Sequence, residues 1–242
     1  MLIMSFNIRI DVDVDGVNKF TNRLEGIIDF INKTNPDIIG FQEVNHSMLQ
    51  SLIALLPNYD YVGEPRSDKG EYNPIFYLKR YKLIKTNTYW LSKTPNIPGS
   101  KHPKAYFPRI FTTITLQIEK RIFEIVNTHL SHISQLARED GMHDLIRYYH
   151  NTKVTNFILM GDFNAYPNQG VDEIISQHLN SCWNIYSGDQ LTYHDFQDQT
   201  IGLPIDYIFT SKNIIIKEVN IYRDKYHNLY LSDHYPISIT TE

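Results

Sequence analysis

The stretch Phe157-Ile158-Leu159-Met160-Gly161-Asp162-Phe163-Asn164 runs apolar for four residues and then ends in an acid and an amide. A short apolar run bounded by turn-forming residues reads as a strand buried on both faces. A carboxylate at the end of such a strand costs several kcal/mol unless it is paired, hydrogen-bonded or bound to a metal. The same pattern recurs along the chain. Met1–Phe6 runs into Asn7, Asp37–Phe41 into Gln42-Glu43, and Arg121–Val126 into Asn127-Thr128-His129. Asp206 interrupts Leu203–Phe209, and Asp233-His234 opens a final apolar run from Tyr235 to Thr240. So many polar residues at the ends of buried strands point to one assembled site.

Between these runs lie helical patterns. Val17, Phe20, Leu24, Ile27, Ile28 and Ile31 fall at steps of three and four, with Pro36 marking the exit. Met48, Leu49, Leu52, Ile53 and Leu56 form a second such face, stopped by Pro57, and Leu136–Tyr149 reads as a third helix. From Pro74 to Gln117 the chain is rich in Tyr, Thr, Ile and Phe, which suits antiparallel strands around a long loop at Thr94–Lys104. Ile214–Ile221 is one more strand. Strands throughout, with helices near both ends, predict packed sheets with helices outside rather than a purely parallel doubly wound sheet.

Composition narrows the function. The 242 residues carry 23 Lys+Arg against 27 Asp+Glu, a net charge of −4. Such a chain does not advertise long duplex nucleic acid as its partner. One cysteine, Cys182, excludes an intrachain disulfide framework and a Cys-rich zinc site. No apolar run reaches the ~18 residues of a membrane span, and Met1–Asn7 lacks the features of a signal peptide. The expectation is one cytoplasmic domain over residues 1–242. Nothing in the pattern speaks to oligomeric state.

Taken singly, the polar residues have plain readings. Asn7 suits a turn, Glu43 suits a helix N-terminus, and Gly161-Asp162-Phe163-Asn164 is rich in turn formers. Asp206 is different, because an acid within an apolar strand needs a partner. Their order along the chain carries more. Ser5-Phe6-Asn7-Ile8-Arg9, Phe41-Gln42-Glu43-Val44, Asn127-Thr128-His129-Leu130, Gly161-Asp162-Phe163-Asn164, Ile205-Asp206-Tyr207-Ile208-Phe209 and Ser232-Asp233-His234-Tyr235-Pro236 together resemble the endonuclease/exonuclease/phosphatase, or DNase I-like, superfamily. Gly70–Tyr77 and Tyr89–Pro95, continuing to Pro98-Gly99-Ser100, resemble a bacterial branch that is similar to deadenylase and nocturnin-like enzymes. Two departures from that branch lie near the expected substrate mouth: His102-Pro103 replaces a usual Gly-Trp pair, and Ser131 replaces a commoner Asp or Asn.

The resemblance implies an α/β fold, a four-layer α/β/β/α sandwich of two mixed sheets face to face with outer helices. It implies Mg²⁺-dependent hydrolysis of a phosphate ester, with Mn²⁺ as a substitute. Acids and amides without a Cys/His cluster agree with a hard cation. On the resemblance, Glu43 is the leading metal ligand, with Asn7 and Asp233 beside it. Asp162 would orient or deprotonate the attacking water, and Asn164 would hold that water or a phosphoryl oxygen. Asp206 and His234 would form a carboxylate–imidazole pair, while His129 and His132 would face the phosphate or the leaving group. Either Asp162 or His234 could take the proton. His132 has an alternative as an exposed loop histidine, and His194 is a candidate at the mouth.

Charge is unevenly placed. From Tyr72 to Ile118 there are Lys79, Arg80, Lys82, Lys85, Lys93, Lys101, Lys104 and Arg109 but no acid. Strand alternation scatters the first five over a solvated face. Lys101, Lys104 and Arg109, with Arg66, are expected to form a positive rim that attracts an anionic substrate. The substrate expected is a small or single-stranded phosphate ester, such as a nucleotide or the end of an RNA or DNA strand. Sugar or inositol phosphates and phospholipid head groups are the alternatives. A binding module that has lost catalysis would lack some of these site residues, and all are present.

Overall fold

Alternation along β1 (Leu2–Asn7) decides which layer each of its residues joins. Ile3 packs into the larger core and Met4 and Phe6 into the smaller one, leaving Asn7 on the face of Ile3. The structure, a computed structural model, describes residues 1–242. It contains two mixed six-stranded sheets. The first has the order β11-β12-β1-β2-β4-β3, where β2 is Ile38–Gln42, β3 Tyr59–Val62, β4 Ile75–Leu78, β11 Ile216–Ile221 and β12 Ile237–Thr241. The second has the order β5-β6-β7-β8-β10-β9, where β5 is Lys82–Trp90, β6 Ile110–Ile118, β7 Arg121–His129, β8 Asn156–Asp162, β9 Asn180–Ser181 and β10 Asp206–Thr210.

Helices α1 (Phe20–Thr34) and α2 (His46–Leu55) cover the outer face of the first sheet. Phe20, Ile27, Phe30 and Ile31 of α1 and Met48, Leu49 and Leu52 of α2 share a core with Met4, Phe6, Ile39, Phe41 and Phe76. Helix α3 (Gln135–Asn151) brings Met142, Leu145 and Ile146 into the larger cluster, which also holds residues of both sheets. The result is the expected four-layer sandwich. No helix is long and apolar enough to cross a membrane.

Some boundaries differ from the periodicity. Asp13–Asn18 is a 3₁₀ segment before α1, and Val17 is exposed there rather than joining the helical face. The chain also forms β3, β9 and a π-helical turn at Pro167–Ile175, all too short or irregular to leave a period. Gly161 lies inside β8, as the apolar run from Phe157 predicts. Its φ of 146° is open to glycine, and a Cβ would lie 2.0 Å from the Thr128 carbonyl oxygen.

The sheets approach closely behind the strand ends. A Cβ on Gly40 would fall 2.7 Å from Met160 Cε and 2.8 Å from Asn127 Cγ. The fully buried Asn127 bridges the sheets: its amide donates to the carbonyls of Phe41 (2.7 Å) and Pro74 (3.0 Å), and its Oδ1 accepts from Gln42 Nε2 (2.7 Å). These bonds fix the relative slide of the sheets one residue pair behind the polar strand ends.

Candidate active site

Strand register brings the polar ends together. β1 and β2 run parallel with Asn7 opposite Gln42, and β7 and β8 run parallel with His129 opposite Asp162. β10 runs antiparallel to β8 and places Asp206 across from Asp162. The amide of Asn7 crosses between the sheets, donating to Asp162 Oδ2 at 3.0 Å and to Glu43 Oε1 at 3.3 Å. Asp162 Oδ1 accepts the Asn164 backbone N–H at 2.8 Å. His129 Nε2 and His234 Nε2 approach Asp162 Oδ2 at 3.5 and 3.8 Å, and His234 Nδ1 lies 2.8 Å from Asp206 Oδ2. Asp162, His129, Asp206, Asp233 and His234 are all buried.

Glu43 and Asn164 hold left-handed backbone conformations, φ 62° and 49°. Non-glycine residues adopt this region at a cost and are held there by their surroundings. Glu43 is held by the Ile10 N–H, which donates to its Oε2 at 3.0 Å. A second restraint comes from Arg23, 1% exposed on the apolar face of α1. Its guanidinium donates to the carbonyls of Ile8 (2.8 Å) and Leu231 (2.5 Å), tying the chain after Asn7 to the chain before Asp233-His234.

Charge in this buried cluster is set by its partners. Burial opposes a charged His234, yet Asp206, with Asp162 and Asp233 behind it, holds the ring above its ordinary value and therefore protonated. Burial, then repulsion from Asp206, pushes Asp162 up to about 7. Burial and the nearby Arg109 and Arg66 keep His129 well below its usual value, so it is neutral.

Glu43, His129, Asp162, Asn164, Asp233 and His234 line a pocket of about 420 Å³ together with Arg9, Arg66 and Arg109. Its acids are Glu43, Glu71, Asp162 and Asp233; Arg9 stands 3.7 Å from Asp233, and Arg66 is paired with Glu71. Burial raises the Asp233 carboxyl, and Glu43 adds to the rise. Carboxylate oxygens such as those of Glu43 and Asp233 suit a hard divalent cation in kind. The donor set whose atoms lie within 4.8 Å of one another is Asp162, Asp206 and His234. There His234 Nδ1 already faces Asp206 at 2.8 Å.

The arginines form only part of the rim expected from sequence. Arg66 donates to Glu71 at 2.7 Å and stacks over Phe107 at 4.4 Å, while Arg109 donates to His132 Nδ1 at 2.8 Å. Lys101 and Lys104 do not line the pocket; both are exposed on the outer side of their loop, where the Lys101 ammonium donates to the Tyr106 carbonyl. His194 is not at the mouth either. It is 1% exposed and stacked on Tyr235 at 3.9 Å, and the adjacent Tyr193 lines the pocket instead. Sequence reasoning assigned no role to Arg9, Glu71, Phe107 or Tyr193. Glu71 carried a signal, as the last acid before a long acid-free stretch.

Residues 4–234 match the model of the endonuclease/exonuclease/phosphatase family, and the chain belongs to that family. It is accordingly a metal-dependent phosphoesterase. It is similar to an endonuclease/exonuclease/phosphatase of Bacteroides vulgatus, at 31% identity over 100% of this chain and 98% of that one, TM-score 0.93. A mannosyl-6-phosphatase of Bacteroides thetaiotaomicron is 26% identical over 100% and 99% of the two chains, TM-score 0.89. An uncharacterized protein of Acanthamoeba polyphaga mimivirus is 30% identical over 93% of each chain.

Proposed function

We propose that this enzyme uses Mg²⁺, with Mn²⁺ able to substitute, to hydrolyse a small phosphate ester by direct attack of water. The observation that carries the reading is the buried Asn7–Asp162–His234–Asp206 network, whose Asp162 and His234 face a pocket that also holds Glu43, Asp233, Arg66 and Arg109. Glu43 would hold the cation with Asp233 and Asn7 beside it. The bound cation would neutralise charge building on the phosphoryl oxygens.

The chain's own residues do the rest. Asp162 is the base: its carboxyl is raised toward neutrality, and the Asn164 and Asn7 N–H groups orient its two oxygens. It takes a proton as the water oxygen bonds to phosphorus, and the ester P–O bond breaks with its electron pair on the leaving oxygen, which takes up a proton from solvent. His234 is protonated and so cannot be that base; it donates to a phosphoryl oxygen, with Asp206 fixing the ring. His129, neutral at the pocket wall, orients the phosphate, and the Asn164 side chain holds the attacking water. Arg66 and Arg109 attract the anion.

A pocket of about 420 Å³ accommodates a phosphate with a sugar-sized group and no broad duplex face. Together with the likeness to a mannosyl-6-phosphatase, this favours sugar phosphates over nucleotides or strand ends. The test is phosphate release from a panel of sugar phosphates, nucleotides, short single strands and phospholipids, with Mg²⁺ and with EDTA. Turnover that needs the metal and falls by about 10²–10⁴ in Asp162→Asn supports the reading. Metal-independent release, or a fully active Asp162→Asn, defeats it.

A further inference from the structure

Arg109 is a buried cation without a carboxylate partner. It is 7% exposed, and its side chain makes one hydrogen bond within the protein, from Nη2 to His132 Nδ1 at 2.8 Å. A second guanidinium, Arg66, stands close enough to depress the charge on Arg109 further, and the nearby Glu71 is already taken by Arg66. The exposed His132 ring lines the same pocket, and its Nε2 has no protein partner.

Guanidinium groups donate and never accept. The Nδ1 that faces Arg109 must therefore present its lone pair, which leaves the ring proton on Nε2. A doubly protonated ring would set N–H against N–H. We infer that Arg109 locks His132 in the neutral Nε2–H tautomer, so that the ring and the remaining guanidinium N–H groups form an all-donor subsite for an anionic oxygen group. This deepens the phosphoesterase reading and rests on it for the substrate, but the tautomer stands on geometry alone. Burial first, and then Arg109, hold His132 below its usual value, in agreement with a neutral ring. His132 is consequently neither base nor acid: its Nε2 has no lone pair to take a proton, and a neutral imidazole N–H does not release one near pH 7. Arg109 is a positioning residue for that donor as well as an anion receptor.

The tautomer is measured directly from two-bond ¹H–¹⁵N correlations of the labelled full-length protein with Mg²⁺ at pH 7. Wild type and Arg109→Lys, which keeps a donor, should show His132 protonated at Nε2 alone. Arg109→Met should show a mixture of tautomers. Inorganic phosphate is the probe of the subsite and should shift the His132 Nε2–H and Arg109 Nε–H signals. His132→Gln, whose amide nitrogen reaches the Nε2 position, should bind phosphate close to wild type. His132→Asn and His132→Ala should bind about three- to tenfold more weakly. A proton on Nδ1 in wild type, phosphate that leaves the His132 signals unmoved, or equal affinity in the Gln and Asn variants would each overturn the inference. The expected tautomer and phosphate response in a protein that turns over no phosphate ester would support it while overturning the proposed reaction.

Discussion

Replacing Asp206 with asparagine removes one charge and leaves the shape of the site nearly unchanged. The side chain still reaches His234 Nδ1, which stands 2.8 Å from Asp206 Oδ2, and the partner it loses is a buried anion. Removing one partner of a buried ion pair costs about 3–5 kcal/mol. Each pKa unit is worth about 1.36 kcal/mol, so the loss amounts to about 2–4 units on the imidazolium. His234 is held at about 10 against an ordinary 6.5. Its titration in Asp206→Asn should therefore fall to about 6–8. The sign is that of a raised histidine: the stability it contributes is present below its unfolded pKa and is lost as pH rises through the folded one. In Asp206→Asn most of that contribution disappears, and the ring loses its proton between about pH 6 and 8. NMR titration of the His234 ring in metal-free protein reads this directly, and activity at pH 7.5 should fall with the charge. An imidazolium that persists above about pH 9 in the variant would refute the argument. It would mean that Asp162 and Asp233, not Asp206, hold the proton.

Burial holds His194 at about 4, so it is neutral in the fold and its contribution to stability is lost as pH falls from about 6.5 towards 4. His194→Phe keeps the stack on Tyr235 and should lessen acid destabilisation by about 2–3 kcal/mol, read as the difference in urea unfolding free energy between pH 7 and pH 4; identical pH dependence in variant and wild type would remove His194 as the cause. Asn127→Leu strands the carbonyls of Phe41 and Pro74 between the sheets and should cost about 4 kcal/mol in the same assay, whereas a loss under 1 kcal/mol would show that the inter-sheet bridge is dispensable. Activity on a small ester should fall only modestly between about 50 and 200 mM salt, since six to ten phosphate contacts are needed for a steep duplex-type slope. Lys101→Ala should be kinetically silent while Arg109→Ala raises KM; the reverse order would put the lysine at the mouth.

Much of the architecture was legible because its causes are local. Apolar runs such as Phe157–Met160 must be buried on both faces, and three- and four-residue spacing in α1 and α2 needs one covering sheet. The cost of a buried acid marked Asp162 and Asp206 without any structure, and the order of the motifs marked the family. What periodicity misplaced lay where no period exists: Val17 belongs to a 3₁₀ segment. Gly161, by contrast, lies in the strand that the apolar run before it predicts, despite the turn-forming residues that follow.

The chain by itself determined which strands end in chemistry, because solvation penalties attach to residue types wherever they fold. Tertiary structure alone decided how those ends meet. Asn7 reaches Asp162 across 155 residues and Arg23 reaches Leu231 across 208, and no local pattern encodes such distances. It also decided which member of an irregular pair faces the pocket. Tyr193 points in and His194 is buried, and Arg109 points in while Lys101 and Lys104 stay outside. In a strand the period of two fixes the face of every residue once one is known. A loop has no such period, so direction there is set by what packs against it, and for His132 even the position of one proton waits on the arginine across from it.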